Sequence, residues 1–162
     1  MELILFMLFG AIAVGGAIMV VTRRHPMASA LYLILTLFAV AALFALRQAH
    51  FLAAIQVIVY AGAVVVLFIF VIMLVNVPEN KLPMERVTGM RLLGVVAAGL
   101  LILESAVLAR KFAMPAGSTA DAGSVQAVGR ALFTDYLLAF EITSVLLLSA
   151  VIGAIAMAKK KI

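Results

Sequence analysis

Five long apolar stretches follow one another along the chain, and short polar clusters separate them. A bilayer-crossing helix needs about 20 apolar residues at ~1.5 Å of rise each. By that measure the spans are Leu3–Thr22, Met27–Leu46, Phe51–Leu74, Leu92–Ala109 and Tyr136–Ala158. "TRRHP" sets two arginines and Pro26 between the first two spans. Proline suits the first turn of a helix, where its missing N–H would have had no partner. "RQAH" reads as a tight turn, and "NVPENKLPMERVTGMR" as a polar loop with two prolines. Residues 110–135 form a longer loop, Gly/Ala/Ser-rich and flexible at its start. Its latter part, "VQAVGRALF", predicts a short amphipathic helix on the membrane interface. The pattern predicts an all-α integral membrane protein, a single domain over residues 1–162 with five transmembrane helices. No internal repeat suggests an inverted transporter architecture.

Composition sharpens this picture by exclusion. The 162 residues are 67% hydrophobic and 12% charged, with a mean hydropathy of +1.31. A soluble domain of this length has too little interior to hide that much apolar surface, so the bilayer is its solvent. There is no cysteine, which removes disulfides, iron–sulfur ligation and thiolate metal sites together. Neither a Gly-rich phosphate loop nor a His/Glu metal spacing occurs. His25 and His50 fall in loops on opposite faces of the predicted topology, so they cannot jointly ligate one haem. The chain by itself is expected to hold no redox cofactor and no soluble substrate.

The net charge of +5 is an orientation signal rather than a nucleic-acid footprint, because the basic residues sit in loops between spans. Arg23, Arg24, Lys81, Arg86, Arg91 and Lys159 to Lys161 fall on one side, eight in all, against Arg47, Arg110, Lys111 and Arg130 on the other. The positive-inside rule puts the eight in the cytoplasm, hence the N-terminus outside and the C-terminus inside. The first span opens "MEL", with an acid and no basic n-region, so it is expected to be retained rather than cleaved as a signal peptide.

Polar groups inside spans are costly and therefore candidates for function. Glu104 in "LILESAVLA" and Glu141 in "YLLAFEITSVLLL" each lie roughly 8 Å inside the outer end of their helices, counting rise per residue. Gln56, five residues into the antiparallel third span, falls at a similar depth. The three define a candidate polar layer, and Ser144 shares the face of Glu141 at i+3. Two readings stand for Glu104, because Arg110 and Lys111 are close enough for it to snorkel to the interface. Gln56 is read either as interhelical glue or as part of a proton route. Tyr60, four residues on, shares its face, while Gly62 looks away. For Gly62 the alternatives are close helix packing, as in the small-residue seams "AIAVGGA" and "SAVIGAIA", and a helix made irregular in mid-membrane.

"IQVIVYAGAVVVLFIFVIMLVN" resembles the third membrane helix of the J-subunit family of NADH:quinone oxidoreductases, respiratory complex I, whose mitochondrial form is the sixth mitochondrially encoded membrane subunit. "HPMASALYLI" resembles that family's second helix and "AVGRALFTDYLLAFEITSVLLLSA" its fifth; the fourth helix and the outer loop resemble it least. The resemblance implies a non-catalytic membrane subunit of a proton-translocating oxidoreductase in the bacterial inner membrane. FMN, Fe–S clusters and quinone would belong to partner chains. Its neighbours would be the quinone-binding subunit and the small and antiporter-like subunits beside it. It further implies a π-bulge hinge at Tyr60, Ala61, Gly62, Ala63 and Val64, and a role for Glu141 as the acidic residue of the last helix. One departure matters: some members carry Glu where this chain has Gln56, and an amide cannot carry a proton by titrating. The competing readings are a subunit of a cation/proton antiporter or of a membrane hydrogenase, and a free-standing channel or packing protein. The last is weakened by the scarcity of charges within the spans.

Overall fold

The computed structural model describes residues 1–75, 88–111 and 123–159, apart from the side chains of residues 88–92 and 111. Helix α1 is Glu2–Thr22, α2 is Pro26–Leu46, and α3 is His50–Ile55, running into a π-helical segment, Gln56–Val64, and then α4, Val65–Val75. Beyond these lie α5 (Thr88–Lys111), α6 (Val125–Phe133) and α7 (Leu137–Ala158). No strand occurs among the described residues. Five helices are long and apolar enough to cross a membrane: Glu2–Thr22, Pro26–Leu46, the composite His50–Val75, Leu93–Arg110 and Leu137–Ala158. The helices stand where the spans were expected, with ends within one residue except in α5, which begins four residues earlier and ends two later. The polar loop over residues 76–87 and the start of the outer loop, 112–122, lie outside the described residues, as do Lys81, Arg86, Lys160 and Lys161.

The first three spans pack on one another through α2, which lies along α1 and along every part of the composite third span. Small residues set the closest approach. Gly16 of α1 is buried, and a Cβ there would run into Thr36 Oγ1 of α2, with Tyr32 O at 3.5 Å. The Thr36 hydroxyl donates to Tyr32 O at 2.9 Å, so this polar group is satisfied within its own helix. The buried residues of α2 are likewise alanines, Ala30, Ala39 and Ala41. Without a hydrophobic force between helices in lipid, close backbone approach of this kind supplies the packing energy.

The two connections within the first three spans are short and hydrogen-bonded. Pro26 opens α2, and Ser29 Oγ donates to Val20 O at 2.9 Å, tying the start of α2 to the end of α1. The Arg23 guanidinium lies 5.5 Å from the centroid of the Tyr32 ring, a cation–π contact that holds this loop side chain over α2. At the "RQAH" turn, Ala49 N donates to Phe44 O and Gln48 N to Ala45 O, each at 3.0 Å. This is the Schellman pattern, which uses one left-handed residue to satisfy the last carbonyls of a helix. Gln48 takes that position with φ 61°, where glycine is the usual occupant.

The last two spans are built differently. Every described side chain of α5 is exposed, as is every residue of α7 except the half-buried Gly153. Among the described residues α5 packs along no other helix, and α7 packs along α6 alone. There Phe133 and Phe140 meet edge to face with ring centroids 5.1 Å apart. Helix α6 is strongly amphipathic and is capped by Ser124, whose side chain accepts from Ala127 N at 3.2 Å.

Candidate functional site: a π-helical segment inside the third span

The third span is one apolar run in sequence, but its bonding changes twice along its length. Gln56 N still donates to Leu52 O and Ala53 O, the bonding of an α-helix end. By Val65 the N–H reaches Tyr60 O, five residues back rather than four. Between them nine residues, Gln56–Val64, are π-helical. An i→i+5 turn is wider than an α turn and is rarely more than a single bulge. Here it takes in Tyr60, Ala61, Gly62, Ala63 and Val64, and also Gln56 to Val59. Nothing in the sequence marks the earlier boundary, because Val57, Ile58 and Val59 suit either winding equally.

One side of the segment is held and the other is open. Ala61 is 6% and Val65 3% exposed, a buried pair four residues apart that faces α2. Tyr60 and Val64 are exposed by about half, at 51% and 53%, so the phenol points away from the packed side. Gln56 is half-buried and Gly62 is exposed. A Cβ on Gly62 would lie 3.2 Å from Val57 O, the carbonyl five residues earlier. No other element approaches it among the described residues, where Gly62 is therefore not part of a packing seam. Its smallness matters to the winding of its own helix.

The acidic candidates stand elsewhere. Glu141 is exposed on α7, in a shallow cleft with Leu138, Ile142 and Val145. Ser144 does share its face, but the Ser144 hydroxyl donates to the Glu141 backbone carbonyl at 2.7 Å rather than to the carboxylate. Glu104 is exposed on α5. Among the described residues no hydrogen bond joins Gln56, Glu104 and Glu141, and the helices carrying them do not pack together. Among the described residues the three are separate polar positions, each on its own span. His50 Nε2 lies 3.2 Å from Gln48 Oε1. No group of three or more metal-ligating side chains occurs among the described residues.

Comparison with known proteins gives this architecture its family. The sequence profile of the family described as NADH-ubiquinone/plastoquinone oxidoreductase chain 6 matches residues 16–157. The NAD(P)H-quinone oxidoreductase chain 6 of Leptolyngbya boryana is 38% identical over 162 residues, covering 99% of this chain and 81% of that protein. NADH-quinone oxidoreductase subunit J of Escherichia coli K12 is 34% identical over 151 residues, covering 92% and 82%. The subunit J of Rhodobacter capsulatus is 36% identical over 159 residues, covering 93% and 78%. Five membrane-length helices and similarity over nearly the whole chain agree: this protein belongs to the chain 6, or subunit J, family of membrane subunits of NADH–quinone oxidoreductase, complex I.

Proposed function

We propose that this chain is a redox-silent subunit of a proton-translocating oxidoreductase and that its third span is the moving part through which quinone reduction is coupled to proton transfer. The observation that carries this is the π-helical segment Gln56–Val64 in the middle of a membrane span. A π turn is less stable than an α turn, so a span that keeps one has an accessible alternative. Converting one inserted residue back to regular winding turns the helix beyond it by roughly 100°, the angle of one residue. Tyr60, Ala61, Gly62, Ala63 and Val64 form the hinge in this reading. Tyr60, Gln56, Glu141 and Glu104 are polar positions bordering a hydrated proton route completed by other subunits. Gln56 contributes there by ordering water, since an amide does not titrate.

FMN, Fe–S clusters and quinone belong to partner chains in this account. The neighbours are the quinone-binding subunit and the small and antiporter-like subunits, and they or lipid cover the exposed faces of α5 and α7. The membrane is the bacterial inner membrane, with the N-terminus outside, the C-terminus in the cytoplasm and the segment 110–135 on the outer face. Thiol labelling of cysteines placed at positions 2 and 83 checks the orientation: position 2 should react from outside and position 83 from inside, and a reversed pattern removes it.

The hinge is tested at Gly62. A Cβ there already presses on Val57 O at 3.2 Å, and a β-branched side chain adds χ1 restriction against the preceding turn. Gly62→Val should lower quinone-linked turnover several-fold while the subunit stays in the complex, and Gly62→Ala should have a smaller effect. Full turnover in Gly62→Val would remove the hinge.

A further inference from the structure

The turn between α1 and α2 sets three basic side chains in a row, Arg23, Arg24 and His25, and all three are exposed. Contacts from α2 hold this turn in place. Ser29 Oγ, which donates to Val20 O, also lies 3.3 Å from Arg23 O. The Arg23 guanidinium rests over the Tyr32 ring, with one nitrogen 3.4 Å from the Tyr32 hydroxyl. That contact uses one of five N–H donors and leaves the others for a second partner. Arg24 makes no side-chain hydrogen bond among the described residues. By the order of the spans, this face of the membrane carries eight of the chain's bases against two acids, Glu79 and Glu85. The other five acids, Glu2, Glu104, Asp121, Asp135 and Glu141, belong to the opposite half. The chain's own carboxylates therefore leave this face strongly positive. Below the turn, Leu31, Leu35 and Phe38 are exposed along α2. They form an apolar stripe roughly 10 Å long, counted by rise per residue. Leu35 lies three residues beyond Tyr32, so the stripe adjoins the side of α2 on which Arg23 rests.

We propose that the α1–α2 turn is a binding site for an anionic phospholipid, with Arg23 and Arg24 on its phosphate and Leu31, Leu35 and Phe38 along an acyl chain. The site is independent of any movement in the third span. The turn joins the ends of two membrane-length helices, which is the depth at which lipid phosphates lie. Arginine suits them because its planar fork pairs with phosphate through two parallel N–H donors. Stacking on Tyr32 fixes one of the two forks in advance, so less side-chain freedom is lost when a phosphate arrives. Basic clusters beside membrane helices attract anionic headgroups in general. A zwitterionic headgroup would bring its own cation to a face that already has a surplus of positive charge. A carboxylate from a neighbouring protein could pair with the arginines, but it would not account for the exposed apolar stripe directly below them. A phospholipid joins a phosphate to a hydrocarbon chain and matches both.

The test uses the intact complex in phosphatidylcholine vesicles. A trace of lipid carries a photoactivatable group on its acyl chain, with either a phosphatidylglycerol or a phosphatidylcholine headgroup. Adducts on this chain are mapped by peptide mass spectrometry. The phosphatidylglycerol probe should label residues 31–38 several-fold more than the phosphatidylcholine probe, and Arg23→Gln with Arg24→Gln should bring the two to the same level. Where the double variant does not assemble, Arg24→Gln alone serves, with a smaller loss of the excess expected. Inorganic phosphate should leave the excess intact when ionic strength is matched with sodium chloride. Equal labelling by the two probes in the unsubstituted complex overturns the site. So does the absence of any label over residues 31–38, which would mean that protein covers the stripe. An excess unchanged in whichever glutamine variant assembles would move the selectivity to other residues and remove the arginines from it. Loss of the excess with phosphate but not with chloride would assign the turn to a free anion and end the lipid reading.

Discussion

The first three spans and the last two are made of similar residues, yet among the described residues only the first three close on one another. Gly16 and Gly153 show the difference at single positions. Each lies in a small-residue seam of the kind that brings helices together. A side chain at Gly16 would meet Thr36, whereas one at Gly153 would meet nothing within 4 Å. The seam in α1 is used between described helices, whereas the seam in α7 meets no described residue at Gly153. A small-residue seam therefore states that a helix can be approached closely, but not by what.

The same substitution at both glycines should separate these roles. Gly16→Leu forces an overpacked contact onto Thr36, a type of change that costs about 1–3 kcal/mol even where neighbours adjust. The expected result is loss of the subunit from purified complex and a sharply lower yield of the chain in membranes, read by immunoblot. Gly153→Leu should leave the chain's amount in membranes unchanged and weaken only its retention in the complex, read by native gel. Equal losses at both positions would show that α7 is already packed within the chain.

Smaller effects sharpen the comparison further. Glu141→Gln keeps shape and hydrogen bonding while removing ionisation, so it should reduce coupled proton transfer several-fold in assembled enzyme. Glu104→Gln should change it least, because its helix carries Arg110 within snorkelling distance of the same interface. Proton pumping in vesicles, normalised to the amount of assembled complex, measures both. Indistinguishable activity in the two variants and the unsubstituted enzyme would show that neither carboxylate serves turnover.

The contrast within the third span follows the same logic at smaller scale. α3 and α4 are α-helical and the nine residues between them are not, although the apolar run is continuous. Gly62 and its small neighbours left close packing and an irregularity both open, and only the resemblance to a known helix implied a bulge at residues 60 to 64. The extension back to Gln56 had no mark in the sequence. Ala61 and Val65, the buried residues there, belong to a span that packs along α2.

Spans, breaks and the identity of candidate residues were determined by the sequence, because crossing a bilayer depends on length and polarity, both of which are local properties. The same holds for Pro26 at the start of α2, where a single residue's geometry suffices. Three features were decided only by tertiary structure. Gln48, rather than a glycine, adopts the left-handed turn conformation because the Schellman bonds around it compensate its strain. Gly123 meets Ala49 across more than seventy residues of sequence, a proximity that no local pattern encodes. Gln56, Glu104 and Glu141, close in predicted depth, stay on helices that do not pack together among the described residues. Depth along a membrane normal follows from counting residues, but lateral neighbours follow from which helix faces complement one another, and for α5 and α7 no other span of the described chain supplies that face.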